Sequence, residues 1–148
     1  MAIVSLITEQ DFEVLYQIEQ LAHQVPWSKG ILKNNQGKNY CNLKLEVSEK
    51  KIIGFAICHC VLDEATLFNI AIAPNFQGQG FGKFLLNALI EKLRQQNIVT
   101  LWLEVRQSNH TALKLYQQFG FNQVDIRKNY YPTSDGKREN AIIMALSL

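Results

Sequence analysis

A strand that runs into a glycine-rich bend and then an amphipathic helix constrains this chain more than any other segment. From Phe68 the sequence reads Phe-Asn-Ile-Ala-Ile-Ala-Pro-Asn-Phe-Gln-Gly-Gln-Gly-Phe-Gly-Lys, and an apolar helical pattern follows as far as Leu93. Gly78, Gly80 and Gly82 alternate where the helix must begin. Glycine admits positive φ and close backbone approach, so the bend can turn several amide N–H groups towards one point. At a helix start those groups are unpaired and lie at the positive end of the helix dipole, which suits a phosphate. The segment therefore predicts a pyrophosphate cradle.

Spacing excludes two better-known cradles. A Gly-x-x-x-x-Gly-Lys-Ser/Thr loop fails because Phe84 follows Lys83 and Gln77 stands where the first glycine belongs. The dinucleotide fingerprint fails because its third glycine should follow the second by three positions, whereas Gly82 follows Gly80 by two. What remains is Gln77-x-x-Gly80-x-Gly82, and on the loop alone an ordinary glycine turn stays open.

The 148 residues suit one domain, 1–148, with a substantial core, and 47% hydrophobic with 19% charged residues reads as globular. A net charge of +2 without any basic run argues against direct nucleic-acid binding. The longest apolar run, Ile52 to Leu62, is too short to span a bilayer, and the first residues lack a basic flank and a long apolar region. Cys41, Cys58 and Cys60 have no Cys-x-x-Cys spacing and read as core residues. His23, His59 and His110 are scattered, with no metal-ligand partner at useful spacing, so no metal is expected. These features together predict a cytoplasmic protein.

Around the bend the chain alternates short strands and helices. Ile3 to Ile7 predicts a first strand, and Thr8 with Asp11 a capped helix carrying Phe12, Leu15, Tyr16 and Ile18. Pro26 and Trp27 break that helix, and Ser28 caps a short second one ending near Gly37. Strands near Cys41 to Val47, Ile52 to Leu62 and Ala65 to Ala73 make an antiparallel meander. The helix after the glycines should bury Phe81, Phe84, Leu85, Ala88, Leu89 and Leu93. Thr100 to Val105 can return parallel to the earlier strand, since a helix intervenes. Asn109 caps a helix that Gly120 stops, and strands Phe121 to Arg127 and Glu139 to Leu148 follow, joined across Tyr130-Tyr131-Pro132 and a turn at Asp135-Gly136. The sum is one α/β domain with a mixed, largely antiparallel sheet and about four helices.

The pattern Gln77-x-x-Gly80-x-Gly82 resembles the acyl-CoA loop of the GNAT family of N-acetyltransferases, Gln/Arg-x-x-Gly-x-Gly/Ala. Asn109, Ala112, Tyr116 and Gly120-Phe121 resemble that family's second signature, Asn-x-x-Ala-x-x-x-Tyr-x-x-x-Gly-Phe. The order of elements agrees over nearly the whole chain. Pro26-Trp27-Ser28, the block from Leu62 to Ala71, Leu101 to Arg106, and Asn129-Tyr130-Tyr131-Pro132-Thr133 are similar to the branch of the family that acetylates bacterial ribosomal-protein N-termini.

The resemblance implies a central sheet splayed at the cofactor site and acetyl-CoA as co-substrate. Ile70, Ala71 and Ile72 would pair with the pantetheine arm. Gln77, Gly78, Gln79, Gly80, Phe81, Gly82 and Lys83 would hold the pyrophosphate, and Asn109 would touch the cofactor arm beyond the splay. It implies Glu104 as general base, Tyr116 as general acid, and the N-terminal alanine of small-subunit ribosomal protein S-18 as acceptor. A monomer is compatible with all of this, and neither a membrane nor nucleic acid is required.

The chemistry agrees with those roles. A protein α-amine has a pKa of about 8 and must lose a proton before attack, and a lysine amine near 10.4 is harder to deprotonate. Glu104 interrupts the run Leu101, Trp102, Leu103, Val105, which predicts an apolar setting that would raise its basicity. Tyr116 can protonate a leaving thiolate. Taken singly, Glu104 also reads as a surface ion-pair partner and Tyr116 as helix packing. Trp27 either lines an acceptor cleft or plugs the core between two helices, and Tyr130 and Tyr131 either wall that cleft or shape the hairpin. Besides transfer to an N-terminus, the same fold could serve a lysine or small-molecule amine, or bind acyl-CoA without turnover.

Overall fold

Seven strands and four helices follow one another in the computed structural model, which describes residues 1–148. In chain order they are β1 (Ile3–Leu6), α1 (Phe12–Ala22), α2 (Lys29–Asn34), β2 (Leu43–Val47), β3 (Lys51–Val61) and β4 (Glu64–Ile72). Then come α3 (Phe81–Gln95), β5 (Thr100–Arg106), α4 (His110–Gln118), β6 (Asn122–Pro132) and β7 (Arg138–Ser147). The strands form one sheet in the order β1-β2-β3-β4-β5-β7-β6. Every neighbouring pair is antiparallel except β4 and β5, which α3 joins, as expected from the sequence.

The caps form where the sequence places them. The Thr8 N–H donates to Asp11 Oδ2 at 2.7 Å, Ser28 Oγ accepts from the Ile31 N–H at 3.2 Å, and Asn109 Oδ1 accepts from the Ala112 N–H at 3.1 Å. Gly120 ends α4 at φ +96°, the left-handed conformation that glycine adopts at least cost.

The feature that shapes the sheet is a bulge. In the β3–β4 ladder Cys58 faces Leu67 and Ile57 faces Asn69, which leaves Phe68 without a partner. One inserted residue turns the rest of a strand over. Ala65 and Leu67 accordingly pack with α3, in a cluster of 21 buried residues, whereas Ala71 packs with α1, in a cluster of seven on the opposite face. Just there the β4–β5 ladder stops. It pairs Glu64–Leu67 with Thr100–Leu103, and although both strands continue, nothing joins them beyond.

Two expectations need correction. The buried stripe of α3 is Leu85, Leu86, Leu89, Ile90 and Leu93, while Phe84 is 46% exposed. The helix is rotated so that the i, i+1, i+4, i+5 ridge meets the sheet, and the aromatic is left at its edge. Tyr130, Tyr131 and Pro132 belong to β6 instead of a connection, since pairing with β7 resumes at Tyr131↔Glu139 after an irregular stretch. Of the cysteines, Cys41 and Cys58 are buried and Cys60 is half-buried, all as free thiols. No helix is long and apolar enough to cross a membrane.

Asp11 ties the α1 cap to β2. Burial alone would raise its carboxyl, but Lys44 Nζ at 2.9 Å and the Thr8 donors outweigh this and hold it below its ordinary value. A depressed folded pKa contributes stability above the unfolded value of about 3.9 and loses it as pH falls. Asp11→Asn should lower the unfolding free energy by ~1–2 kcal/mol near neutral pH. The difference should close below about pH 4, as paired denaturant titrations would show.

Candidate active site

Where β4 and β5 part, a cavity of about 190 Å³ opens between them. Glu104, Tyr116, Asn109, Ile70, Trp27 and Tyr131 all line it, so residues far apart in sequence meet at one point. Strand alternation positions Glu104: Leu101, Leu103 and Val105 enter the core, while Trp102, Glu104 and Arg106 take the other face. The cap at Asn109 starts α4 so that Ala112 and Tyr116, one turn apart, reach the same cavity.

The expected apolar setting of Glu104 is not what the fold provides. Its side chain is 28% exposed and its Oε1 lies 3.9 Å from an Arg127 guanidinium nitrogen. Sequence neighbours on a strand point to opposite faces, so the apolar run around Glu104 does not surround its carboxylate. Tyr116 is 5% exposed and packs at a tilt against Phe121, with ring centroids 5.5 Å apart. Burial, with a contribution from Tyr131, pushes its hydroxyl well above the ordinary tyrosine range, so it stays a proton donor at any working pH. No fully buried side-chain polar atom lacks a partner, so the Tyr116 hydroxyl, unpaired within the chain, is the part open to the cavity.

The two tyrosines of β6 separate. Tyr131 enters the cavity under the Arg106 guanidinium, 4.6 Å from its ring, and Arg106 is held by Glu139 and the Pro132 carbonyl. Tyr130 faces away, 40% exposed beneath Arg127, and does not line the cavity. Trp27 meets both sequence readings, since it packs on the smaller core and lines the cavity.

Beyond the bulge Ile70, Ala71 and Ile72 pair with Ala56, Phe55 and Gly54 of β3, and their other edge faces no strand. Ile70 lines the cavity and Ala71 is buried against α1. The glycine bend continues from this open edge. Gly78 and Gly80 have φ of +74° and +88°, where a side chain would be strained, and Gly80 is the residue from which α3 starts. No side chain caps α3, and the amides of Phe81, Gly82 and Lys83 find no acceptor in the chain. Three unpaired N–H groups at a helix start fit an anionic group. Gln77 and Gln79 do not present their amides to that space. They brace the bend by donating to the Ile72 and Asn75 carbonyls at 2.9 and 3.1 Å. Gly80 and Lys83 also line a second groove with Phe84, Asn87, Gln118 and Phe119, next to the bend.

Sequence reasoning missed Glu19, His23, Asn69 and Arg106, which share the first cavity. One signal was available: Glu19 lies four residues after Leu15, on the stripe that α1 buries, where a charged residue needs a reason.

The model of the acetyltransferase (GNAT) family matches residues 3–121, and the chain belongs to that family. It is an N-acetyltransferase. It is 63% identical over 148 residues to the ribosomal protein bS18-alanine N-acetyltransferase of Haemophilus influenzae, with 100% of both chains covered. The enzyme of the same name from Escherichia coli is 51% identical over 145 residues, covering 98% of this chain and 97% of that one. The crystal structure of the Escherichia coli ribosomal-protein-S18-alanine N-acetyltransferase superposes with a TM-score of 0.95, covering 99% of this chain and 94% of that one.

Burial first, then Glu104 and Tyr130, pushes the Tyr131 hydroxyl up to about 12, against the pull of Arg106 and Arg127. Spectrophotometric titration should therefore show a late tyrosinate step near about 12 that disappears in Tyr131→Phe.

Proposed function

We propose that this N-acetyltransferase moves the acetyl group of acetyl-CoA to the α-amine of the N-terminal alanine of ribosomal protein S-18. The observation that carries the reaction is the single cavity at the strand gap, which brings a carboxylate, Glu104, and the hydroxyl of Tyr116, open to the cavity from a buried ring, together beside a free strand edge. The acceptor is taken from the relatives, which are named for it and match over the full length. That substrate places the reaction in the cytoplasm.

Bound acetyl-CoA supplies the activated acyl group and a thiolate leaving group. The open edge at Ile70, Ala71 and Ile72 holds an extended, amide-bearing arm as an added strand would be held. The free amides of Phe81, Gly82 and Lys83, with Gly78 and Gly80 shaping the bend, hold the pyrophosphate, and Gln77 and Gln79 keep that bend rigid. Asn109 reaches the arm only after satisfying the α4 cap, so its first role is to aim Tyr116. Glu104 takes a proton from the amine and Tyr116 gives one to the departing sulfur. Trp27 and Tyr131 border the space left for the first acceptor residue, and Tyr130 shapes the hairpin from outside.

Glu104→Gln should lower kcat ~10²–10⁴-fold and leave acetyl-CoA affinity nearly unchanged, as stopped assays and calorimetry would report. Equal losses in both would remove the base assignment. Gly80→Ala places a side chain at φ +88° and should weaken acetyl-CoA binding while costing ~1 kcal/mol in stability. A peptide beginning with the alanine of S-18 should be acetylated at its α-amine. If an N-blocked peptide with a free lysine reacted as fast, the N-terminal reading would be lost.

A further inference from the structure

Glu19 is an acidic residue yet is 1% exposed, and it borders the cavity that holds Glu104 and Tyr116. A leucine there would pack without any desolvation cost, so the buried carboxylate calls for a chemical reason. Its Oε2 accepts the Trp27 N–H at 2.9 Å, and its Oε1 accepts from Asn69 Nδ2 at 3.0 Å. A carboxylate only accepts, so the Asn69 amide must turn Nδ2 towards Glu19 and Oδ1 away from it. That Oδ1 lies 3.0 Å from His23 Nε2, which must then carry a hydrogen. The neutral imidazole is left with its lone pair on Nδ1, and Nδ1 has no hydrogen bond within the protein. Should Nδ1 take up a proton, Glu19 Oε1 stands 3.5 Å from Nε2 to stabilise the imidazolium. A base oriented by an amide, which is itself oriented by a buried carboxylate, is the arrangement expected of a proton acceptor.

The reaction has a proton for such a group to take. An ammonium that becomes an amide loses two protons from nitrogen, one before attack and one as the C–N bond forms and the C–S bond breaks. One of them is balanced by the thiolate, protonated from Tyr116, and the other must leave for solvent. We propose that His23 takes the first proton at Nδ1, generating the free amine, and that Glu104 takes the second, which returns through solvent to the tyrosinate that Tyr116 becomes on protonating the thiolate; the proton on His23 is the one released. The inference rests on the proposed acetyl transfer. His23, the C-cap of α1 and 34% exposed, can return its proton to water after each turnover. The other titratable or charged groups around this cavity are Glu19 on the same helix, Glu104 and Arg106 on β5, Tyr116 on α4 and Tyr131 on β6.

The test is the pH dependence of kcat/KM for the alanine peptide, comparing wild type with His23→Gln. Glutamine keeps a donor for Asn69 and cannot accept the proton. The variant should react only with amine already deprotonated by solvent. Its deficit should therefore be on the order of 10²-fold below the amine's pKa of about 8 and shrink towards unity above it. A deficit constant with pH, or none, overturns the inference. If the glutamine variant fails to fold by circular dichroism, His23→Ala carries the test, with added imidazole expected to restore turnover and no restoration overturning it. Wild type that never acetylates the peptide would instead sink the proposed function, an outcome distinct from a flat His23→Gln profile.

Discussion

Phe68 has no partner across β3, and that gap in the ladder governs the rest of the molecule. Before it, β4 sends its odd-numbered residues towards α3; after it, Asn69 and Ala71 turn towards α1. The turned strand can no longer follow β5, so the central parallel pair opens after Leu67 and Leu103. An open parallel pair is unusual because both edges expose unpaired backbone groups in the middle of a sheet. Here those groups border a cavity, and a ligand that brings its own amides would complete them.

The same turnover sets the electrostatics. Had β4 kept its phase, Asn69 would lie in the apolar cluster under α3, far from Glu19 and His23. Displaced by one residue, its amide reaches both. On the far wall Arg106 is fixed by Glu139 and the Pro132 carbonyl, and it holds Tyr131 in place from above. Asn69, Arg106 and Tyr131 therefore line the cavity in orientations set by a second contact, which is what preorganisation requires.

Much of this was legible beforehand. Caps, glycine turns and helical periods gave the element order, the signatures around Gly80 and Asn109 carried the family resemblance, and that resemblance implied Glu104 and Tyr116, which the fold brings to one cavity. The phase of β4 was not legible, because from Leu67 to Ala73 only Asn69 is polar, and an almost unbroken apolar run shows no alternation to read. Glu104 was misplaced for a related reason: its apolar neighbours in sequence are its opposites in space. On α3 the apolar residues nearly encircle the first turns, so Phe84 and Leu86 compete for the buried stripe and only tertiary packing decides. His23 and Glu19 form a pair whose meaning depends on Asn69, a residue 46 and 50 positions away.

The sheet also divides the hydrophobic core unequally, with 21 buried residues on the side of α3 and seven on the side of α1. Free energy of local opening follows buried apolar area, so the two faces should exchange their amide hydrogens at different rates, α1 and α2 first. The thin side supplies Glu19, His23 and Trp27, and the thick side anchors the glycine bend. A lineage could therefore remodel α1 and α2 to suit a new acceptor while the larger core kept the donor site folded, so that acceptor choice and donor binding evolve at separate rates.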